Sequence, residues 1–253
     1  MKPVRKRFEG VINLVSFNWH YYLILFIALI FLFFAGLFVV KYRVFTTIFI
    51  VATLLFCIFS IVATYYIYDR SPLYKFTWFK DQLYYRPARI VNIHGGYDET
   101  SKLIAELYPK DEVSVFDFYN PEKNAEISTK RARKINPPYA GTRSITTDHI
   151  PLKDGYADRI FLILSTHEIR SNKERNIFFE ELNRVLSRNG KIIVVEHLRD
   201  APNFLAYNIG FLHFYQKQTW LNNFFSSGLH CRQQIKITPF ITAFILDKNG
   251  IPT

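Results

Sequence analysis

Cysteine is scarce in this chain of 253 residues: there are two, Cys57 and Cys231, and no Cys/His spacing has the form of a zinc site. A disulfide framework and a sequence-encoded metal motif are both set aside by that count. Acid is short as well, with 21 Asp and Glu against 32 Lys and Arg, for a formal charge of +11. No complete G-x-G-x-x-G is present where a nucleotide-binding turn is expected, only Gly95-Gly96, so a nicotinamide cofactor is a poor fit. Internal repeats are missing too. Charge itself is absent from two long runs, 20 residues from Tyr21 to Val40 and 25 from Val44 to Tyr68.

Each run, as a helix, is long enough to cross a hydrocarbon core of roughly 30 Å. Soluble helices of this length carry polar faces, and a cleaved signal peptide has a shorter apolar core with no second span directly behind it. The expectation is a transmembrane hairpin within residues 1–72, turning at Lys41-Tyr42-Arg43. Lys2, Arg5, Lys6 and Arg7 precede it, and Arg70, Lys75, Lys80, Arg86 and Arg89 follow it. That bias places both termini and the remaining chain on the cytoplasmic side, of a bacterial cytoplasmic membrane. Trp19, Tyr21 and Tyr22, with Tyr65, Tyr66 and Tyr68, suit the inner interface. Leu73 to Lys80 either prolongs that belt along the headgroups or forms, within 73–88, the packed linker of a second domain at 73–253. A basic surface suits nucleic acid as well as anionic lipid. Beside two spans, membrane lipid is the expected partner and nucleic acid is not. The run Lys130-Arg131-Ala132-Arg133-Lys134 reads as the solvated face of a helix end.

From Arg89 the pattern alternates between strand and helix. Ile90 to Ile93 is a short apolar strand, His94-Gly95-Gly96-Tyr97-Asp98 a turn, and Thr100 or Ser101 the cap of a helix carrying Leu103, Ile104 and Leu107. Val113 to Asp117 is the next strand, closing on a carboxylate 19 residues after Asp98. Strand, glycine turn, helix, strand, acid is the plan of a nucleotide-binding βαβ unit. Further units follow: a helix over 121–134, strands at 144–148, 159–164 and 191–196, and an amphipathic helix from Asn172 to Leu186 stopped by Asn189-Gly190. Phe204 to Phe225 reads as a long aromatic helical stretch, and Cys231–Ile237 and Phe240–Leu246 as a terminal hairpin. These elements predict an α/β fold with a mostly parallel, Rossmann-like sheet and one antiparallel strand.

Four segments between Arg89 and Leu246 resemble the class I S-adenosylmethionine-dependent methyltransferases, in particular the branch acting on quinones and phospholipids. Ile90 to Asp98 stands where that family has its E/D-x-G-x-G-x-G loop, and Asp117 where it has a ribose-binding acid. Asp148 to Asp158 is similar to its G-D-A-x-x-L-P-F segment; Phe178 to Gly190, with Val195 to Asp200, is similar to its next helix, turn and strand. The resemblance implies a seven-stranded sheet, S-adenosyl-L-methionine as cofactor, and a cofactor site drawn from Asn92, His94, Gly95, Gly96, Asp98, Asp117, Phe118, Asp148, His149 and Ser165. Asn92 replaces the family's acid, His94 its first glycine and Asp98 its third. Asp98 is therefore a candidate for the cofactor's ammonium. The alternative is a methyltransferase-like binding protein without turnover. Acceptor chemistry is expected after the fourth and fifth strands, where His167 and His197 are candidate bases; each is equally a histidine that orders a loop. With the membrane hairpin and the aromatic stretch beside it, the expected acceptor is lipophilic.

Overall fold

The computed structural model describes residues 6–79, 88–123 and 126–248. Lys2, Arg5, Lys80, Arg86 and half of the expected linker 73–88 lie outside these residues.

Helix α1 (Glu9–Phe38) and helix α2 (Arg43–Thr64) form an antiparallel pair joined by a tight 3-10 turn at Val40–Tyr42. Both are long and apolar enough to cross a membrane, and their apolar side chains face outward, Phe31 72% and Phe38 83% exposed. The first helix begins twelve residues before the charge-free run. Its N-terminal N–H groups are satisfied from the far end of the hairpin: Asp69 accepts from Gly10 at 2.8 Å and from Val11 at 3.2 Å. Gly10 is required there, because a Cβ would lie 2.4 Å from Cβ of Tyr68. A π-helical turn, Tyr65–Arg70, closes the hairpin before Ser71-Pro72.

The remainder is a seven-stranded sheet. Its strands are β1 (Arg89–His94), β2 (Glu112–Asp117), β3 (Arg143–Ser144), β4 (Ala157–Ile163), β5 (Leu186–His197), β6 (Leu229–Thr238) and β7 (Ile241–Lys248). The order is β3-β2-β1-β4-β5-β7-β6, and β7 runs antiparallel to both neighbours. Alternation sorts the central strands between two layers. Ile160, Leu162, Ile192 and Val194 pack on one face against α5 (Asn172–Val185) and α7 (Lys217–Ser226). Phe161, Ile163, Ile193 and Val195 pack on the other with α3 (Ser101–Leu107), α6 (Ala201–Tyr207) and the foot of the hairpin. Ala63, Ile67, Leu73 and Phe76 belong to that second cluster, so the packing does not part at residue 72.

Several expectations are corrected. The third strand is two residues long, since Thr146 and His149 bridge to each other in a turn. Helix α5 ends at Val185, and Leu186 pairs at once with Ala157, ahead of Asn189-Gly190. The stretch 204–225 is broken: α6 stops at Tyr207, Asn208 takes φ 51°, a 3-10 turn spans Asn208–His213, and α7 begins at Lys217. Pro121 lies before helix α4, which covers Ile127–Ile135.

Candidate active site

Chain order reverses between β1 and β4, and the loops leaving these two strands open the crevice in which open α/β sheets bind ligands. Ser165 bridges them, its hydroxyl donating to the Ile93 carbonyl at 3.1 Å. After β1, Gly96 adopts φ 108°, a conformation that suits glycine. The Gly96 N–H points to His94 Nδ1 at 3.4 Å, which leaves the proton on Nε2. Burial lowers the His94 pKa, the nearby Asp98 and Asp117 notwithstanding, so the ring is neutral. His94 Nε2 and Asn92 Oδ1 are buried without a hydrogen-bond partner. Asp98 is a helix cap: its Oδ1 accepts from Thr100 and Ser101 N–H at 3.1 and 3.0 Å. Neither Thr100 nor Ser101 caps α3 with its own side chain, contrary to the sequence expectation.

Asp117 sits at the tip of β2 as expected, and it is engaged. Arg133 of α4 donates to its Oδ2 at 2.5 Å and to the Gly96 carbonyl at 2.9 Å, with the guanidinium stacked 4.3 Å from the Tyr119 ring centre. Oδ1 accepts from Tyr119 N–H at 2.9 Å. Phe118 and Tyr119 occupy the space that side chains at Gly95 and Gly96 would take, at 2.8 and 2.7 Å. The basic run 130–134 is thus only partly solvated. Arg131, too, is committed, to the Phe17 carbonyl at 2.9 Å and to His20 at 2.7 Å.

After β4, residues Thr166–Glu168 form a 3-10 turn clamped by Glu196, fully buried at the end of β5. Its Oε1 accepts from the N–H groups of Thr166 and His167 at 2.8 and 3.2 Å, and its Oε2 from His167 Nδ1 at 2.7 Å. Burial alone would lower the His167 pKa, but the Glu196 carboxylate, with Glu168 behind it, lifts it to about 9. His197 is the opposite case. Burial and the neighbouring His167 push it down to about 4; Nδ1 donates to the Phe240 carbonyl and Asn203 Oδ1, both at 3.1 Å, and Nε2 accepts from Tyr68 at 2.9 Å. A free general base is therefore not what either ring offers at neutral pH: His167 holds its proton, and His197 is tied at both nitrogens.

A cavity of 1210 Å³ connects these groups. Gly95, Ser165, His167 and His197 line it, and so does the foot of the hairpin, through Asn13, Phe17, Tyr21 and Tyr68. The contact is specific, since Asn13 donates to the Tyr97 hydroxyl at 2.7 Å and Phe17 meets the Tyr97 ring edge-on at 5.3 Å. Asn92, His94, Gly96, Asp98, Asp117 and Phe118 are not part of that lining; Asp148 and His149 sit on an exposed turn away from it. Arg133, Tyr68 and His213 had no signal in sequence spacing, because their partners come from distant elements.

Residues 96–194 match the family described as a methyltransferase domain. No curated protein matches the sequence. Solved structures with a similar fold include a type 11 methyltransferase from Sulfolobus solfataricus (11% identity, 65% of this chain and 87% of that one, TM-score 0.44). An S-adenosylmethionine-dependent methyltransferase from Aquifex aeolicus is alike at 13% identity, 64% and 82% coverage and TM-score 0.44. Human N-acetylserotonin methyltransferase in complex with S-adenosylmethionine matches at 18% identity, 64% and 48% coverage and TM-score 0.47. The match over residues 96–194 is thus to a methyltransferase domain, and S-adenosylmethionine is the cofactor to set against the site. The residues fit it with one exchange. Asn92 Oδ1 and His94 Nε2 are buried polar atoms without partners that such a cofactor would meet, and Asp117 would be open to ribose hydroxyls only if Arg133 released it.

Proposed function

We propose that the chain is a membrane-anchored methyltransferase with S-adenosylmethionine as donor and a lipophilic acceptor, such as a phospholipid amine, a quinone or an aryl-polyene phenol. The carrying observation is the cavity, walled on one side by the strand-end loops and on the other by the foot of an apolar hairpin. An acceptor dissolved in the bilayer would reach it along α1, past Tyr21 and Leu25, which belong to both the helix and the wall. Both termini lie on the cytoplasmic side in this reading, in keeping with the positive flanks of the spans.

The cofactor supplies a sulfonium-bound methyl group, and the chain's main task is to position the acceptor for in-line displacement. Tyr68, Tyr207 and His197 form a polar cluster at the wall, with hydroxyl and ring-nitrogen separations of 2.9 to 3.4 Å. We assign it the acceptor's polar end, while Phe214, stacked 4.7 Å from the His197 ring, holds that ring in place. His167, held at Nδ1 by Glu196, orders the loop. A second reading, a binding protein without turnover, is favoured by Arg133 occupying Asp117.

Calorimetry with S-adenosylhomocysteine and labelled methyl transfer into a lipid extract test both readings. Binding with transfer supports the enzyme, binding without transfer supports the second reading, and no binding at millimolar ligand sinks the first.

A further inference from the structure

His167 and His213 stand 46 positions apart in the sequence, yet their rings lie 5.3 Å apart at the cavity wall. Glu168 stands between them, its Oε1 3.6 Å from His167 Nε2 and 3.7 Å from His213 Nε2, and the three donor atoms are within 4.8 Å of one another. Ligand atoms around a tetrahedral ion with bonds of about 2.1 Å are separated by about 3.4 Å, so small side-chain movements close the gap. We propose a divalent transition-metal site at His167, Glu168 and His213, open on the side of the cavity and suited to zinc.

A second feature separates this cluster from a chance meeting of polar groups. Each histidine turns its other ring nitrogen to a carboxylate: His167 Nδ1 to the buried Glu196 at 2.7 Å, and His213 Nδ1 to Glu126 at 3.4 Å. Carboxylate–histidine–metal relays have this form, with the outer acid fixing the tautomer and aiming Nε2 at the ion. The loop that carries His213 is also held in place. Arg170 donates to the His213 carbonyl at 2.8 Å, and Arg199 donates to the carbonyls of Leu212 and Phe214 at 2.5 and 2.8 Å. Three consecutive backbone oxygens are thus tied by two guanidinium groups, so His213 is presented on a rigid frame.

Two histidines and one carboxylate leave coordination positions open, the pattern of catalytic rather than structural sites. Those positions face the space assigned to the acceptor. A bound ion would displace the proton from His167 Nε2, leaving Nδ1–H donated to Glu196, and would take an acceptor oxygen as ligand and make its hydroxyl more acidic. Such a role favours oxygen acceptors, phenols above amines. Metal binding itself goes beyond the methyl-transfer reading and does not rest on it.

The test uses the full chain without a histidine tag, in detergent and stripped by chelator, titrated with Co²⁺ and then competed with Zn²⁺. Visible d–d absorption saturating at one equivalent and displaced by Zn²⁺ is expected. His213→Ala and Glu168→Gln each weaken cobalt binding at least about tenfold. Glu196→Gln weakens it about 10- to 100-fold through the relay, and His149→Ala, on the exposed turn, leaves it unchanged. Circular dichroism confirms folding, and the part-exposed His213 and Glu168 keep the test open should the Glu196 variant unfold. No saturation, or wild-type affinity in folded His213→Ala, overturns the site. S-adenosylhomocysteine titrated into the same protein separates failures: nucleoside binding without cobalt rejects the metal site alone, and cobalt without nucleoside rejects only the methyl-transfer reading.

Discussion

Replacing Arg133 by glutamine removes the guanidinium that occupies Asp117 and leaves a neutral donor in its place. If ribose hydroxyls take that position, the Arg133–Asp117 bond at 2.5 Å must break each time cofactor binds, and its strength subtracts from affinity. A hydrogen bond to a charged group contributes about 1.5–3 kcal/mol net. Asp117 is 4% exposed at its side chain but Arg133 is 28%, so solvent screens one partner and the lower end applies. With the glutamine amide retaining part of the bond, Arg133→Gln should release about 1–1.5 kcal/mol and tighten S-adenosylhomocysteine about five- to tenfold, read by calorimetry. Asp117→Ala should act in the opposite sense, weakening it by about one to two orders of magnitude. Weaker binding in Arg133→Gln would mean that the arginine holds the cofactor rather than competing with it. Unchanged affinity in both folded variants would refute the placement of the ribose at Asp117.

Two further outcomes follow from the hairpin and from His197. Gly10→Ala places a methyl 2.4 Å from Cβ of Tyr68, an overpacking worth about 1–3 kcal/mol; it should lower the thermal midpoint and slow turnover on vesicle-borne acceptor, and an unaltered midpoint would show the hairpin foot to be pliant. His197 has a folded pKa of about 4 against 6.5 unfolded, so between these values the unfolded chain binds the extra proton and stability falls as pH drops from 6.5 towards 4, by at most about 3 kcal/mol. Denaturant midpoints measured on both sides of that window should shift less in His197→Gln; equal shifts would place the titrating group elsewhere.

The sheet was legible because its strands are short apolar runs whose residues alternate between two buried layers, as Ile160 to Ile163 and Ile192 to Val195 do. The errors fall where tertiary contacts override local pattern. Leu186 is a good helix residue, but it leaves α5 to pair with Ala157, and the aromatic stretch after Phe204 breaks at Asn208, which accepts a left-handed conformation. Asp98 stood at a glycine's position, from which a ligand role was inferred. Its Oδ1 accepts from two N–H groups at the start of α3, a contact that the sequence pattern did not announce.

The site was legible only along the chain and not across it. Strand ends could be located, and Ser165, His167 and His197, which follow them, line the cavity, whereas Tyr68 and His213 could not be linked to it, because nothing in their spacing ties them to residues 129 and 46 positions away. The consequence for the hairpin is mechanical. An inert anchor would touch the domain through a linker, but here Ile67 is fully buried in the domain's second core and Tyr68, the next residue, donates to His197. Core and site thus share one helical turn, and any shift of α1 against α2 reaches the cavity through the contact of Gly10 with Tyr68.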